Sequence, residues 1–333
     1  MSDARVVDAR LSQATHGARR PRGPRYQMRR DERGIALIVV LLVMAIVGIV
    51  GAEFAYSMRL EASAVRAYKA GIVANHLAEA AVAQAMREIA AESTLVGEDA
   101  QGLLTFYTAA RLPLPHLPRE KVDFPGGQFT YRITDEEGRI NVNSSPPDRI
   151  DRLLQVLGLD RSVRDIIGDS LQDWRDTNDE HRLNGAESDY YLGLPVPYRS
   201  HNANLESAAE LLQIRGVTRE IYDGVAETPG LVDLVTVRST GQVNINTAPP
   251  AVLKALGLAE AQVVEILQAR RALPYAVVPG TFSGRGLGFS TQIFRVEAQG
   301  IVDGRVAARV TAVVQKRPGT PVSVSVLEWS GLR

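Results

Sequence analysis

An uncharged apolar run is the feature that most constrains how this chain can fold. Residues 35–52 contain no Asp, Glu, Lys or Arg. As a helix these residues would be about 27 Å long, close to the hydrocarbon core of about 30 Å in a bilayer. Arg29, Arg30 and Arg33 precede the run, and the next basic residue is Arg59. The positive-inside rule therefore predicts a single membrane span with a cytoplasmic N-terminus and the bulk of the chain on the other side.

The apolar run continues without a break into an Ala-rich segment that contains no proline. Its larger apolar residues recur at near-helical spacing: Phe54, Met58, Val65, Tyr68, Ile72, Val73 and Leu77. We predict one continuous helix from residue 35 to about residue 92, roughly 87 Å long. The second half needs a protein surface for its apolar stripe. A cleaved signal peptide fits less well, because its apolar region is usually only about 7–15 residues long. A plain signal anchor remains an alternative.

Charge and cysteine content exclude several classes of protein. Residues 1–33 contain nine Arg and four Asp or Glu, which gives this segment a net charge of +5. Because the whole chain has a net charge of zero, residues 34–333 carry a net charge of −5. A basic nucleic-acid-binding domain is therefore not expected in the bulk of the chain. The chain has no cysteine, which excludes disulfides, thiolate zinc sites and cysteine nucleophiles.

The order of patterns beyond the long helix is strands, helices and strands again. Alternating residues predict one β-hairpin over residues 126–143, around Glu136-Glu137-Gly138, and a second over residues 291–317, around Asp303-Gly304. A short helix is predicted over residues 103–111. Several short helices are predicted between residues 146 and 227, the first with Ser145 as its N-cap. This order indicates an α+β fold in which a helical block interrupts a sheet.

Two similar segments form an internal repeat, GRINVNSSP at residues 138–146 and GQVNINTAP at residues 241–249. The structural interpretation is a short strand, an Asn turn and a helix that Ser or Thr caps and Pro begins. The alternative is a helix-hairpin-helix DNA-binding unit like those of competence proteins. Each hairpin position has a single glycine, Gly158 or Gly257, and Asp160 would repel a phosphate, so DNA binding is the weaker interpretation.

The most informative stretch is an acidic loop at residues 173–191. Six carboxylates lie in it: Asp173, Asp176, Asp179, Glu180, Glu187 and Asp189. Calcium takes six to eight oxygen ligands and suits such a flexible loop, whereas magnesium prefers fewer protein ligands. A purely solvated loop is an alternative. A carboxylate pair for glycoside hydrolysis is another, although the chain has only two Trp and lacks the residues for a broad aromatic cleft.

Several motifs resemble the K-type minor pseudopilin of type II secretion, general secretion pathway protein K. The similar segments are Asp-Trp-x-Asp followed by Gly-Ala-Glu-x-x-Tyr-Tyr within residues 173–191, LLQIRGVTREIYDGV at residues 211–225 and VNINTAPPAVLKAL at residues 243–256. Together with the helix, the resemblance covers residues 34–317. It implies a non-enzymatic protein with the α+β pseudopilin fold. In that fold a long N-terminal helix packs on a small antiparallel sheet, and a large helical insertion holds calcium.

The resemblance also implies a domain organisation. Residues 1–34 would be a basic leader, of which residues 1–27 are expected to be a mis-called extension. The membrane part of the helix is expected at residues 35–52. The periplasmic helix and first strands would occupy residues 53–143, the inserted helical domain residues 144–285, and the last strands and tail residues 286–333.

Processing and assembly are further expectations from the resemblance. Prepilin peptidase would cut between Gly34 and Ile35, and the new N-terminus would be methylated. Other pseudopilins carry Glu at mature position five, where this chain has Val39. A subunit with nothing ahead of it has no N-terminal amine for that Glu to neutralise, so Val39 suits the tip of a filament. The expected partners are the minor pseudopilins I and J, prepilin peptidase and the inner-membrane secretion assembly platform; no nucleic acid is expected.

The metal ligands are less closely specified by the resemblance. We expect a structural calcium ion bound by residues of the acidic loop, namely Asp176, Asn178, Asp179, Glu187 and Asp189. Of these, Asp176 and Glu187 match the positions of the family motif.

Overall fold

The long N-terminal helix is the first element of the computed structural model, which describes residues 32–99 and 101–331. Helix α1 (Glu32–Ile89) is continuous over 58 residues, which confirms the predicted single helix. Within the described residues it is the one helix long and apolar enough to cross a membrane. By the density of internal contacts, the described part of the chain divides between Ala64 and Val65.

The strands follow in chain order. They are β1 (Leu95–Glu98), β2 (Leu104–Tyr107), β3 (Val122–Phe124), β4 (Gly127–Asp135), β5 (Ile140–Asn141), β6 (Gly224–Val225), β7 (Thr228–Pro229), β8 (Val235–Thr236), β9 (Val243–Asn244), β10 (Leu287–Gly288), β11 (Ile293–Val302), β12 (Arg305–Arg317) and β13 (Ser323–Gly331). The main sheet is antiparallel, in the order β13-β12-β11-β4-β3. The residues between β4 and β11 interrupt it.

The remaining helices all lie in that interruption. They are α2 (Pro147–Val156), α3 (Arg161–Arg175), α4 (Ser188–Leu192), α5 (Arg219–Asp223), α6 (Leu231–Leu234), α7 (Pro250–Ala255) and α8 (Glu260–Ala272). Their buried residues form a separate hydrophobic core that includes Leu153, Leu171, Trp174, Leu253 and Ile266. We refer to residues 136–292 as the inserted domain.

The second half of α1 packs on the main sheet. Its buried residues recur at the spacing of one helix face: Leu77, Ala78, Ala81, Val82, Ala85 and Ile89. They contact the inward residues of the sheet, among them Phe129, Ile133, Phe294 and Val314. The helix and the antiparallel sheet confirm the predicted α+β pseudopilin architecture.

Three local predictions are wrong. The segment predicted as a helix over residues 103–111 contains strand β2, because Leu104 and Phe106 point into the core. The predicted first hairpin fails because Asp135 caps a 3-10 turn at residues 136–138 and β5 then pairs in parallel with β8. Helix α2 has Pro146, not Ser145, at its N-cap. The second hairpin, β11 and β12 around Asp303-Gly304, is confirmed.

Candidate functional site

The acidic loop joins the end of α3 to the start of α4 and brings two buried carboxylates to its ends. Asp173 lies in the last turn of α3 with no exposed surface, and Glu187 immediately precedes α4 and is 1% exposed. Gly185 lies against the Asp173 carboxylate, where a Cβ atom would overlap it. The loop therefore folds back across the end of α3.

One arginine reaches into this group of acidic residues. The Nη1 atom of Arg182 donates hydrogen bonds to Asp173 Oδ1 at 2.5 Å and to Asp176 Oδ2 at 2.7 Å. The backbone N–H of Arg182 also faces the Asp173 carboxylate, with 3.1 Å from N to Oδ2. These contacts hold the loop across residues 173–182, and neither Arg182 nor Asp173 was among the residues predicted for the site.

The middle of the loop consists of successive Asx turns. Asp176 Oδ1 accepts from the Asn178 side-chain amide at 2.8 Å, and Asn178 Oδ1 accepts from the backbone N–H of Glu180 at 2.8 Å. Asp179 Oδ1 accepts from Asn202 Nδ2 at 3.0 Å. Such turns satisfy loop backbone locally. Asp176 Oδ2 is held by Arg182, and Asp179 Oδ2 is the oxygen that could still meet a cation.

Glu187 has a different environment. Neither of its carboxylate oxygens meets a donor at hydrogen-bonding geometry among the described residues. Burial raises the pKa of this carboxyl, and the nearby Ser200 hydroxyl partly opposes the shift. The charges of Asp173, Asp176 and Asp179 raise the pKa of Glu187 further, so these four carboxylates are electrostatic neighbours.

The predicted ligand Asp189 is not part of this group. It is exposed, lies in the first turn of α4 and accepts from the backbone N–H of Tyr190 at 2.7 Å. Of the predicted set, Asp176 and Asp179 are thus electrostatic neighbours of Glu187, Asn178 lies beside Asp176, and Asp189 binds the backbone of α4 instead.

Aromatic side chains pack together where the loop meets α3 and α4. Trp174 and Tyr191 are buried and meet edge to face at 5.2 Å between ring centroids, and Tyr198 stacks on Tyr191 at 5.1 Å. The Tyr191 hydroxyl accepts from the backbone N–H of Arg215 at 3.2 Å. These contacts fix the ends of α3 and α4, and thereby fix the positions of Asp173 and Glu187.

The fit of the acidic loop to a cation is partial. Among residues 32–99 and 101–331, no three carboxylate or imidazole groups converge where they could hold one metal ion. The chemistry nevertheless favours a cation, because among the described residues the buried carboxylate of Glu187 has only the Ser200 hydroxyl near it, short of hydrogen-bonding geometry, and such a group is costly unless it is paired or metal-bound. Arg182 already holds Asp173 and Asp176.

The internal repeat is structurally equivalent in its two copies. In each copy the first Asn caps its own turn, with 2.9 Å from Asn143 N to Asn141 Oδ1 and 3.0 Å from Asn246 N to Asn244 Oδ1. The second Asn binds a distant backbone: Asn143 binds both polar groups of Leu205, and Asn246 binds Tyr275. These contacts agree with the structural interpretation of the motif.

One arginine, half-buried in the first copy and buried in the second, completes each copy. Arg175, at the end of α3, donates to the carbonyl of Val142, and Arg270, near the end of α8, donates to the carbonyl of Ile245 at 3.2 Å. Burial lowers the pKa of both guanidinium groups. Because both arginines are bound to backbone within the repeat, they are not placed to neutralise phosphates.

Three consecutive carboxylates join the inserted domain to the sheet. Asp135, Glu136 and Glu137 are all buried. Asp135 Oδ2 accepts from the Thr247 hydroxyl at 2.6 Å and from Asn244 Nδ2 at 2.8 Å. Glu136 forms ion pairs with Arg139 and Arg295, and Glu137 accepts from the returning chain at Gln292 N, 2.7 Å away.

Asp135 is expected to make folding stability depend on pH. Burial raises the pKa of its carboxyl from 3.8 to about 6, the charge of Glu137 adds to the shift, and donors such as Thr247 oppose it. The folded state binds the proton of the Asp135 carboxyl more tightly than the unfolded state does. The protonated carboxyl therefore stabilises the fold fully below pH 3.8, and this stabilisation is lost as the pH rises through about 6. Its size is on the order of 3 kcal/mol.

Urea unfolding between pH 4 and pH 7 measures this contribution. The free energy of unfolding of Asp135→Asn should fall less over this interval than that of the wild-type chain. Asp123→Asn removes an exposed carboxylate in β3 and serves as the control, which should keep the wild-type pH dependence. Parallel pH profiles for the wild-type chain and Asp135→Asn would contradict the assignment.

The predicted processing site lies at the start of α1. Residues 1–31, which include most of the predicted leader, lie outside the described residues, and Gly34 and Ile35 belong to the first turns of the helix. Ile35 and Val39 are 67% and 51% exposed. Val39 thus presents an apolar side chain at the surface of the helix.

Comparisons with known proteins agree on one family. A family model described as type II secretion system (T2SS), protein K, matches residues 131–228. The chain is 31% identical over 247 residues to type II secretion system protein K of Pseudomonas aeruginosa, covering 69% of each chain. It is 29% identical to the protein K of Pectobacterium carotovorum, over 59% of this chain and 61% of that one. It is 25% identical to the putative protein K of Escherichia coli K12, over 66% of each. The matched region thus spans about two thirds of these relatives.

A solved structure has a similar fold. In the crystal structure of the GspK–GspI–GspJ complex of the enterotoxigenic Escherichia coli type 2 secretion system, the matching chain is 20% identical and has a TM-score of 0.52. The likeness covers 65% of this chain and 84% of that one. None of these likenesses supports the alternative of a DNA-binding protein.

Proposed function

This chain belongs to the type II secretion system protein K family, and on that premise we propose that it is a minor pseudopilin at the tip of the pseudopilus. There it would help to initiate pseudopilus assembly and protein export across the outer membrane. The role is structural and not enzymatic. The observation that carries the proposal is the combination of a pilin-like α1 with a large inserted domain on the same sheet.

Val39 supports the tip position. An ionised side chain in a membrane span costs about 2.5–3.5 kcal/mol at the bilayer centre on insertion scales, and a subunit without a neighbour ahead of it cannot offset this cost by pairing. Val39 avoids the cost with an apolar side chain at the surface of α1. The inserted domain would also hinder the stacking of another subunit above this one.

We further propose processing between Gly34 and Ile35 by prepilin peptidase and assembly on the inner-membrane platform. The Arg residues before the apolar run favour a cytoplasmic N-terminus, which leaves the sheet and the inserted domain in the periplasm. The minor pseudopilins I and J are the proposed tip partners. Val65, Tyr68 and Ile72 form an exposed apolar face on α1, with exposed fractions of 47%, 72% and 41%. The helices of the two partners could pack on this face.

A structural calcium ion is proposed for the acidic loop. Asp173, Asp176, Asp179 and Glu187 are the carboxylates that would hold it, with Asn178 able to add an amide oxygen. This set contains Asp173 in place of the predicted Asp189. A bound calcium ion would supply the positive charge that these neighbouring carboxylates lack.

Co-expression of the full-length chain with prepilin peptidase and the pseudopilins I and J tests the function. We expect a stable three-protein complex in which this chain begins at Ile35 by mass spectrometry, and antibody labelling at one end of assembled pseudopili. Tyr68→Glu should lower recovery of the complex at least about tenfold, because it buries a charge in the interface.

Val277→Glu is the matched control, because Val277 is also an exposed apolar residue, at 67%, and belongs to the loop after α8 and not to α1. It should leave the complex intact. Labelling along the whole filament, or a mature chain that begins after Ala52, would overturn the proposal.

A further inference from the structure

A small apolar cavity opens at the surface of the inserted domain, beside the first copy of the internal repeat. Its walls come from the turn after α2, from α5 and from the hairpin of β6 and β7. The cavity has a volume of about 240 Å³, and a cavity of about 150 Å³ can already hold a benzene ring. It therefore has room for one large apolar side chain, whereas small-molecule sites usually measure about 300–1,000 Å³. The apolar residues that line it are Leu157, Leu159, Ile221, Val225 and Pro229.

Contacts within the domain hold the walls of this cavity in place. Gly158 has a φ of 80°, and the backbone N–H of Leu159 donates to the carbonyl of Leu154 at 3.1 Å, which fixes the turn after α2. In the hairpin of β6 and β7, a Cβ atom at Gly224 would overlap the carbonyl oxygen of Thr228, so the two strands approach each other closely. The cavity is therefore preformed, and a partner need not order a loop before it binds.

The second copy of the repeat shows the corresponding turn buried. Both copies have a Leu-Gly-Leu turn after their first helix, at residues 157–159 and 256–258. Leu256 and Leu258 are each only 5% exposed, whereas Leu157 and Leu159 are half-buried. The leucines of the first copy thus keep a surface that the chain itself covers in the second copy.

An arginine is part of the cover of the second turn. Arg285 donates a hydrogen bond to the carbonyl of Gly257. A Cβ atom at Gly257 would lie 3.5 Å from Arg285 Nη1, whereas a Cβ atom at Gly158 would meet nothing within 4 Å. The second copy therefore indicates what kind of group completes such a turn, namely a basic side chain beside a covered pair of leucines.

Exposed carboxylates surround the cavity of the first copy. Glu220 lines it, Asp160 directly follows Leu159, and Glu227 lies in the turn of the hairpin of β6 and β7. Hydrogen bonds from its own backbone N–H and from the Thr218 side chain lower the pKa of the Glu220 carboxyl. The rim of the cavity is therefore negatively charged at neutral pH.

The nearby arginines do not offset these charges, because each of them faces a different carboxylate. Arg161 Nε lies 3.8 Å from Asp165 Oδ2, and Arg219 Nε lies 3.5 Å from Asp223 Oδ2. A rim of this kind attracts a basic group and repels a phosphate or a carboxylate. The charge pattern thus favours a basic polypeptide segment over a nucleic acid or an acidic lipid.

We propose that this cavity is a docking site for a partner polypeptide in which a Phe, Leu or Met stands next to an Arg or Lys. The apolar side chain fills the space over Leu157 and Leu159, as an anchor residue does at the centre of an interface. The basic side chain meets the carboxylates of Asp160, Glu220 and Glu227. This site belongs to the inserted domain and uses none of the α1 residues proposed to contact the pseudopilins I and J.

Selection from a phage-displayed library of random dodecapeptides tests the proposal. The bait is the full-length chain in lipid nanodiscs, and Thr228→Trp is the bait for subtraction. Thr228 is exposed and lines the cavity, so a tryptophan at this position fills the space. We expect the enriched peptides to carry Phe, Leu or Met next to Arg or Lys. By fluorescence anisotropy, synthetic copies of these peptides should bind Thr228→Trp about tenfold more weakly or worse than the wild-type chain.

Charge reversal tests the rim separately from the cavity. Glu220→Lys and Glu227→Lys should each weaken binding of the selected peptides about tenfold or more, because a like charge then faces their basic residue. Glu265→Lys is the matched control, because Glu265 is an exposed glutamate of the inserted domain in α8 that does not line the cavity. It should bind the peptides as the wild-type chain does. Thermal melting of each variant shows whether its fold is intact.

Several results would overturn the docking site. They are the absence of any enriched peptide, the enrichment of peptides with Asp or Glu beside the apolar residue, and equal affinity for the wild-type chain and Thr228→Trp. Decanoate that binds the wild-type chain but not Thr228→Trp, without any peptide that competes with it, would identify an acyl-chain site instead.

Discussion

Replacement of Glu88 by alanine is expected to lower the free energy of unfolding by about 3–5 kcal/mol, because it leaves a buried guanidinium without its counter-charge. Glu88 lies near the end of α1, and its carboxylate binds Arg119 twice, at 2.6 and 3.1 Å. The Tyr131 hydroxyl donates to the same carboxylate at 2.9 Å. The side chains of Glu88 and Arg119 are only 4% and 7% exposed, so the guanidinium left behind is poorly solvated.

The two tryptophans allow this effect to be measured in the sheet alone. Trp329 lies in β13 and Trp174 in the inserted domain. Urea unfolding in a Trp174→Phe background, followed by the fluorescence of Trp329, reports on the sheet. Glu79→Ala is the control on the same helix, because Glu79 forms an exposed pair with His76 and should change stability by less than about 1 kcal/mol. If Glu88→Ala and Glu79→Ala lost the same free energy of unfolding, burial of the Glu88–Arg119 pair could not be the cause of the effect.

The elements that could be predicted from the sequence are those determined by a residue pattern within one short segment. Helix α1 was predictable from the apolar run and the apolar period within one segment of the chain, and the hairpin of β11 and β12 from its Asp303-Gly304 turn. The hairpin predicted over residues 126–143 failed because its carboxylates bind groups far along the chain. Asp135 meets Thr247, and Glu137 meets Gln292. A local pattern contains no information about such contacts.

In the candidate site, too, local features were predictable from the sequence and features that depend on packing were not. Composition was sufficient to locate the acidic loop, but its Asx turns at Asp176 and Asn178 were not predicted. The direction of each carboxylate was not predictable, because it depends on packing. Asp173 turns inwards at the end of α3 to meet Arg182, while Asp189 caps Tyr190. The available signal was the presence of two arginines, Arg175 and Arg182, among the carboxylates of residues 173–191.

The closest approach of α1 to the sheet gives the second large prediction. Gly300 in β11 lies against the backbone of Ala74, and a Cβ atom at this position would overlap the Ala74 carbonyl oxygen and carbon. The obstacle is the backbone of a helix and cannot rotate away as a flexible side chain could. Gly300→Ala should therefore lower the free energy of unfolding by about 3 kcal/mol or more, since α1 or β11 has to move.

The matched control is a glycine-to-alanine change with the opposite expected sign. Gly168 lies inside α3, and a Cβ atom there would meet nothing within 4 Å. Gly168→Ala should raise stability by about 0.5–1 kcal/mol, because alanine loses less backbone entropy in a helix. Urea unfolding followed by Trp329 for Gly300→Ala, and by Trp174 in a Trp329→Phe background for Gly168→Ala, measures both changes. If Gly300→Ala were as stable as wild type, α1 could not lie as close to β11 as the packing of Leu77 and Ala78 on the sheet requires.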